Sequence, residues 1–207
     1  MKARTAPKMA TLYRPLFSVC RQTSKPHVWI ALLGFLLLSV SAGAEKTPAV
    51  GAKAPDFTLS TPNGHDVQLA RQERKSTVVL VVLRGYPGYQ CPYCQRQAHD
   101  FIEHASAFAA KKANVLIVYP GPPADLDQRA KEFLARQAAL PPNVTLVVDP
   151  DYSMTDLYGL RWNAPHETAY PSTFILNRRG TILFEKISHN HGDRATAQNM
   201  LDQLTSR

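Results

Sequence analysis

Three short runs carry almost nothing but apolar and β-branched residues, Thr77 to Leu83, Asn114 to Tyr119 and Val144 to Val148, with helical spacing in the stretches between them. Runs of this kind predict strands buried on both faces. Gln95 to Lys112 sets Ala98, Phe101, Ile102, Ala105 and Phe108 on one stripe, which predicts a helix between the first two strands. Strand, helix and strand in that order force a parallel pair with a right-handed crossover. After a loop over Pro120 to Ala124, Leu126 to Leu140 predicts a second amphipathic helix that stops at Pro141-Pro142. Tyr152 to Tyr158 predicts a short third one. Upstream, Pro48 to Pro55 reads as an extended lead-in. Asp56 to Leu59 then turns at Asn63-Gly64 and returns through Val67 to Leu69, a hairpin followed by a charged loop over Arg71 to Lys75. Downstream, Ser172 to Leu176 and Thr181 to Ile187 flank a turn at Asn177 to Gly180, and Arg194 to Leu204 predicts a closing helix with Asp193 as its N-cap. The expected class is α/β, a mixed central sheet flanked by helices.

The first 44 residues follow a different pattern. Residues 1–27 hold six Lys/Arg and no acid, the apolar run Val28 to Val40 comes next, and Ser41-Ala42-Gly43-Ala44 follows. Basic, apolar and small residues in that order predict a secretory signal cut before Glu45, or an uncleaved anchor formed by residues 28–44. Two segments result: 1–44 as signal peptide or signal anchor, and 45–207 as one globular domain. The expected location is exported, periplasmic or anchored in the membrane on that side. This also revalues the charge. Of 24 Lys/Arg, 18 remain against 16 Asp/Glu once the leader is set aside, so most of the +8 belongs to the leader and no basic patch points to nucleic acid.

Setting Cys20 aside with the leader leaves Cys91 and Cys94 out of three cysteines. They sit where the first apolar strand gives way to a helix, in Arg84-Gly-Tyr-Pro-Gly-Tyr-Gln-Cys-Pro-Tyr-Cys. A sulfur at a helix start faces unsatisfied N–H groups and the positive end of the dipole, which favour thiolate. A second sulfur three residues on lies on the same face and can resolve a mixed disulfide. A structural bridge across four residues would constrain little chain, and no second Cys or His pair stands at zinc spacing. The pair is therefore read as a redox-active disulfide needing neither cofactor nor metal.

The order of elements, with the Cys pair at the first strand-to-helix junction, resembles the thioredoxin fold. Val50-Gly-Ala-Lys-Ala-Pro-Asp-Phe-Thr-Leu with the Asn63-Gly64 hairpin resembles the N-terminal hairpin extension of the redoxins that include the AhpC/TSA peroxiredoxins. Tyr170-Pro-Ser-Thr-Phe-Ile-Leu is similar to the strand that carries a cis proline in thioredoxin-like thiol-disulfide oxidoreductases, which implies a cis Pro171 beside the Cys pair. The domain 45–207 is accordingly a thioredoxin-like redoxin domain. The two branches imply different roles for the same sulfurs. In the oxidoreductase reading Cys91 attacks a protein disulfide, Cys94 resolves it, and Pro171 shapes the docking groove. In the peroxiredoxin reading Pro87 stands seven residues before an attacking Cys94, with Cys91 at the Thr/Ser position of that motif. The arginine usual just before the Thr-Phe strand is replaced by Pro171. A third reading is a non-catalytic binding module on the same fold. Partners are protein thiols and disulfides or small peroxides, with an external thiol reductant.

Supporting roles follow for Arg84, Pro92 and Tyr93. Arg84 is either a thiolate-stabilising cation or a surface cap, and Pro92 and Tyr93 are the residues between the sulfurs. Tyr86 and Tyr89 cover the core or contact substrate, and Trp162 packs under the loop before Pro171. The preceding strand lacks the buried acid of thioredoxins, which leaves His99 and Glu167 as proton acceptors. His189, His191 and Asp193 are too few for a metal site.

Overall fold

The computed structural model describes residues 47–206; the predicted leader and its boundary at 44/45 lie outside the described residues. Among the described residues seven strands, β1 (Thr58–Ser60), β2 (Asp66–Gln68), β3 (Thr77–Val82), β4 (Ala113–Gly121), β5 (Val144–Pro150), β6 (Ser172–Leu176) and β7 (Ile182–Ile187), form one sheet in the order β2-β1-β5-β4-β3-β6-β7. The three apolar runs are β3, β4 and β5, all parallel. On one side β6 and β7 continue the sheet antiparallel; on the other, β1 and β2 form the hairpin, β1 meeting β5 through Ser60 and Val148.

Strand alternation explains why the apolar runs are continuous. Val79 and Val81 of β3 point into a core with the Cys pair, Phe101, Phe108 and Met200, whereas Val78, Leu80 and Val82 point into another with Leu69, Met154, Tyr158 and Phe174. Both faces of the strand are thus dry, as an interior parallel strand requires. Helices α2 (Pro92–Glu103), α3 (Ala105–Ala110) and α6 (Ala197–Thr205) supply side chains to the first core, as does α4 (Leu126–Leu134). Helices α1 (Leu69–Lys75) and α5 (Ser153–Leu157) supply the second.

Several boundaries differ from expectation. Arg71 to Lys75 is not a loop but most of α1, because Leu69 and Glu73, one turn apart, are both buried. The helix predicted over 95–112 begins earlier, at Pro92, where a proline suits the first helical position, and breaks at His104 into α2 and α3. The second helix ends at Leu134 rather than Leu140, and β4 extends over Pro120 and Gly121, shortening the loop. Asp193 does not cap α6. Thr196 does, accepting the Asn199 N–H at 3.2 Å while the Asn199 side chain returns to the Thr196 N–H, and Asp193 instead pairs with Lys186 at 2.6 Å.

Candidate active site

Cys91 is the N-cap of α2, in extended conformation, and its sulfur accepts the Cys94 N–H at 3.4 Å. Pro92 at N1 fixes that geometry. Both cysteines are free thiols and fully buried, while Tyr93 between them is 41% exposed. The two sulfurs are electrostatically unequal. The Cys94 thiol hydrogen-bonds to Cys91, and the Cys94 N–H with the Arg194 and Arg84 guanidinium groups adds to it; against the opposing effect of burial, Cys91 is lowered to about 5. Cys94, one turn into the helix, is pushed up, first by burial and then by its bond to Cys91. Both directions favour Cys91 as the thiolate and Cys94 as the proton-bearing partner.

Two arginines reach this pair. Arg84, directly after β3, is 2% exposed, which excludes the surface-cap reading. Its guanidinium donates to Glu167 Oε2 at 2.5 Å, the His166 carbonyl at 2.6 Å and the Tyr89 hydroxyl at 2.8 Å. Arg194, in the segment between β7 and α6, lies 3.6 Å from Cys94 Sγ through Nη1, which also donates to Gln97 Oε1 at 2.8 Å; its Nε donates to the His191 carbonyl at 2.8 Å. Arg194 is the residue that sequence reasoning missed. It comes 100 positions after Cys94, and no local spacing ties the two together.

Pro171 is corrected. Every described peptide bond is trans, so this proline is not the cis element that the Tyr-Pro-Ser-Thr-Phe resemblance implies. It is buried at the entry to β6, its carbonyl accepts the Ser188 N–H at 2.9 Å, and the Val82–Ser172 register sets it beside the end of β3. Ser172 is held by its pairing with Val82 and Tyr170 by its N–H donating to the Leu160 carbonyl at 2.9 Å, and the chain between the two is trans. Pro87 is half-buried in the loop leading to Cys91.

The proton-acceptor expectations divide. His99 faces outward on α2, paired with Glu103 at 3.1 Å, and is not at the sulfurs. Glu167 does reach the site, but as the counterion of Arg84, and it also meets His191 Nε2 at 2.9 Å. A further buried polar group, Tyr119 on β4, lies in the same core as the pair. Its hydroxyl donates to Gln90 Oε1 at 3.0 Å, and burial, with added repulsion from Cys94, holds it protonated. Tyr86 packs against the core, and Tyr89 holds Arg84. Trp162 stacks on Tyr170 at 4.8 Å, as a packing role under Pro171 requires. His189 packs on Tyr170, and His191 serves Glu167.

A parallel-centred mixed sheet with a dithiol at its first strand-to-helix junction defines a thiol-dependent oxidoreductase of the thioredoxin fold. The model of the AhpC/TSA family matches residues 50–184, and the chain belongs to that family. A Helicobacter pylori relative described as "Putative peroxiredoxin bcp" is 34% identical over 160 residues, spanning 75% of this chain and 97% of its own. Among solved structures, peroxidoxin BcpB from Mycobacterium tuberculosis superposes with a TM-score of 0.63 at 21% identity, covering 77% of this chain and 97% of that one. A Chlorobium tepidum structure described as a "putative Thiol:disulfide interchange protein DsbE" superposes at 0.55 with 25% identity, covering 76% and 99%. The family match ends before Arg194.

Proposed function

We propose that this chain is an exported thiol peroxidase that cycles Cys91 and Cys94 between dithiol and disulfide, with Cys91 as the attacking thiolate. The observation that carries the peroxidase reading is the full burial of both sulfurs. The asymmetry of the pair assigns the attacking role, with Cys91 favoured as thiolate at the helix start and Cys94 as thiol. The roles are thus exchanged relative to the peroxiredoxin motif, in which the Cys94 position attacks. The Cys91 thiolate attacks the distal oxygen of a hydroperoxide and the O–O bond breaks, leaving Cys91 sulfenic acid and an alkoxide or hydroxide that takes up a proton and departs as alcohol or water. Cys94 then attacks that sulfur, its proton leaves with the hydroxyl as water, and the Cys91–Cys94 bond forms. Two equivalents of an external thiol restore the dithiol.

Burial of both sulfurs favours a small oxidant over a protein disulfide, because a molecule of a few atoms needs less opening to reach them. Similarity to proteins described as peroxiredoxins supports the same substrate class. A second reading, exchange with protein disulfides, draws on the helix-start position of Cys91 and the likeness to the Chlorobium protein. Export rests on the order of basic, apolar and small residues over 1–44.

Rapid mixing of the reduced protein with hydrogen peroxide and with a small disulfide separates the two. Faster loss of thiolate with peroxide, ending in the Cys91–Cys94 bridge, is the expected result. Faster reaction with the disulfide overturns the peroxidase reading in favour of the exchange reading.

A further inference from the structure

A cavity of about 270 Å³ opens beside the dithiol, between α2 and the segment that leads into α6, lined in part by Tyr93, Arg96, Gln97 and Arg194. Its charge is unbalanced. Arg96 Cζ lies 4.5 Å from the Tyr93 ring centroid and Arg194 Cζ lies 6.0 Å from it, so two guanidinium groups lie close to the exposed tyrosine of the redox motif. Neither is ion-paired to a carboxylate among the described residues. Asp100, which also lines the cavity, is engaged elsewhere, by the Ala197 N–H at 2.7 Å and by His104 at 3.3 Å. Arg194 Nη2 is buried with no hydrogen-bond partner at all. A buried, charged donor left unsatisfied is costly and calls for an acceptor that the described side chains do not supply.

We infer that Arg194 and Arg96, both beside the Tyr93 ring, form a subsite for the carboxylate of the thiol that reduces the Cys91–Cys94 disulfide. The inference rests on the disulfide cycle proposed above and adds the chemical class of its reductant, a small thiol bearing a carboxylate. Guanidinium groups suit this ligand because their fixed donors match a carboxylate's two oxygens.

Its place in the cycle follows from which sulfur the subsite adjoins. Arg194 Nη1 is 3.6 Å from Cys94 Sγ, so a carboxylate held at the Arg194 guanidinium stands next to Cys94. The reductant's thiolate attacks Cys94 Sγ, a sulfur–sulfur bond to the reductant forms, and the Cys94–Cys91 bond breaks with its electron pair on Cys91. That is the better leaving group, since the thiol of lower pKa leaves faster. A second reductant thiolate attacks the reductant sulfur of the mixed disulfide, releasing Cys94, which takes up a proton, and a reductant disulfide. The oxidant must instead meet the Cys91 thiolate, which is why the subsite is assigned to the reducing step.

The test uses the full chain, oxidised with hydrogen peroxide, and follows loss of the Cys91–Cys94 bridge on adding mercaptoacetate or mercaptoethanol, each rate expressed per thiolate. Mercaptoacetate is expected to react about tenfold faster than mercaptoethanol, the size of one charge-assisted hydrogen-bonded contact. That preference is expected to collapse in Arg96→Gln and Arg194→Gln and to return in part in Arg96→Lys. Equal rates in the wild type, or a preference that survives both glutamine variants, overturn the inference while leaving the disulfide cycle intact. A carboxylate preference confined to the oxidising step, measured with a carboxylate-bearing hydroperoxide, overturns it by assigning the subsite to the oxidant. If peroxide forms no Cys91–Cys94 bridge, the cycle itself fails and the inference with it.

Discussion

Cys91 owes its acidity to position, and each contribution has a testable sign. Its ionisation falls from 9.0 in an ordinary thiol to about 5, chiefly through the Cys94 thiol. Thiolate absorbance of the reduced protein should therefore be lost with a midpoint near pH 5, and Cys94→Ala, which removes the donor, should move that midpoint upward. The same depression makes the thiolate stabilising above the ordinary thiol range, with the contribution lost as pH falls toward 5. Relative to Cys91→Ser, the wild type should gain denaturation midpoint as pH rises across that window. Cys94, shifted the other way, acts only above the ordinary thiol range. At Arg84 the expected effect is on stability. Glu167 has a side chain 12% exposed against 3% for Arg84, so Glu167→Gln strands a buried cation and should cost about 3 kcal/mol in urea denaturation. The sequence made the sulfurs and Arg84 legible because they share one local segment, whereas Arg194 is brought to Cys94 only by the return of the chain after β7.

At the scale of elements, apolar continuity identified β3, β4 and β5 because a strand dry on both faces has no polar alternation to confuse it. The helices were less legible where tertiary burial overrides local pattern. The run Leu-Ala-Arg-Gln-Glu-Arg-Lys of α1 looks like a charged loop until Glu73 is seen buried at 5% exposure. The turn after β3 makes a sharper demand. Gly85 has φ +83, and an added Cβ would lie 1.9 Å from the Pro120 carbonyl oxygen, where the end of β4 crosses the segment that carries the thiols. Gly85→Ala should cost more than about 3 kcal/mol or prevent folding, since both the backbone conformation and the space are closed to it. Gly88, at φ +104 with open space around it, is the contrast: its alanine variant should lose only about 1 kcal/mol of backbone strain, read from the same denaturation curves.

Over the whole molecule, the sheet places the dithiol at the end of its central parallel strands, with cations delivered from two distant parts of the chain. The family pattern over 50–184 accounts for the fold and the thiols but not for Arg194, which stands beyond it. The implied cis Pro171 failed because a motif carries over its residues without fixing the peptide bond before the proline, which is trans here. For the leader, mass spectrometry of the protein recovered outside the cytoplasm should find an N-terminus at Glu45. An intact Met1 in the membrane fraction would mark residues 28–44 as an anchor instead.

The central claim is that Cys91 attacks and Cys94 resolves, and single-serine variants treated with peroxide test it most directly. In Cys94→Ser, with no resolving thiol, sulfenic acid should accumulate rapidly at Cys91 and be trapped there by a dimedone adduct in peptide mass spectra. Cys91→Ser should react slowly, because Cys94 is held as a thiol. Rapid sulfenic acid formation at Cys94 in Cys91→Ser, with none at Cys91 in Cys94→Ser, would contradict the account and return Cys94 to the role that the peroxiredoxin motif gives it.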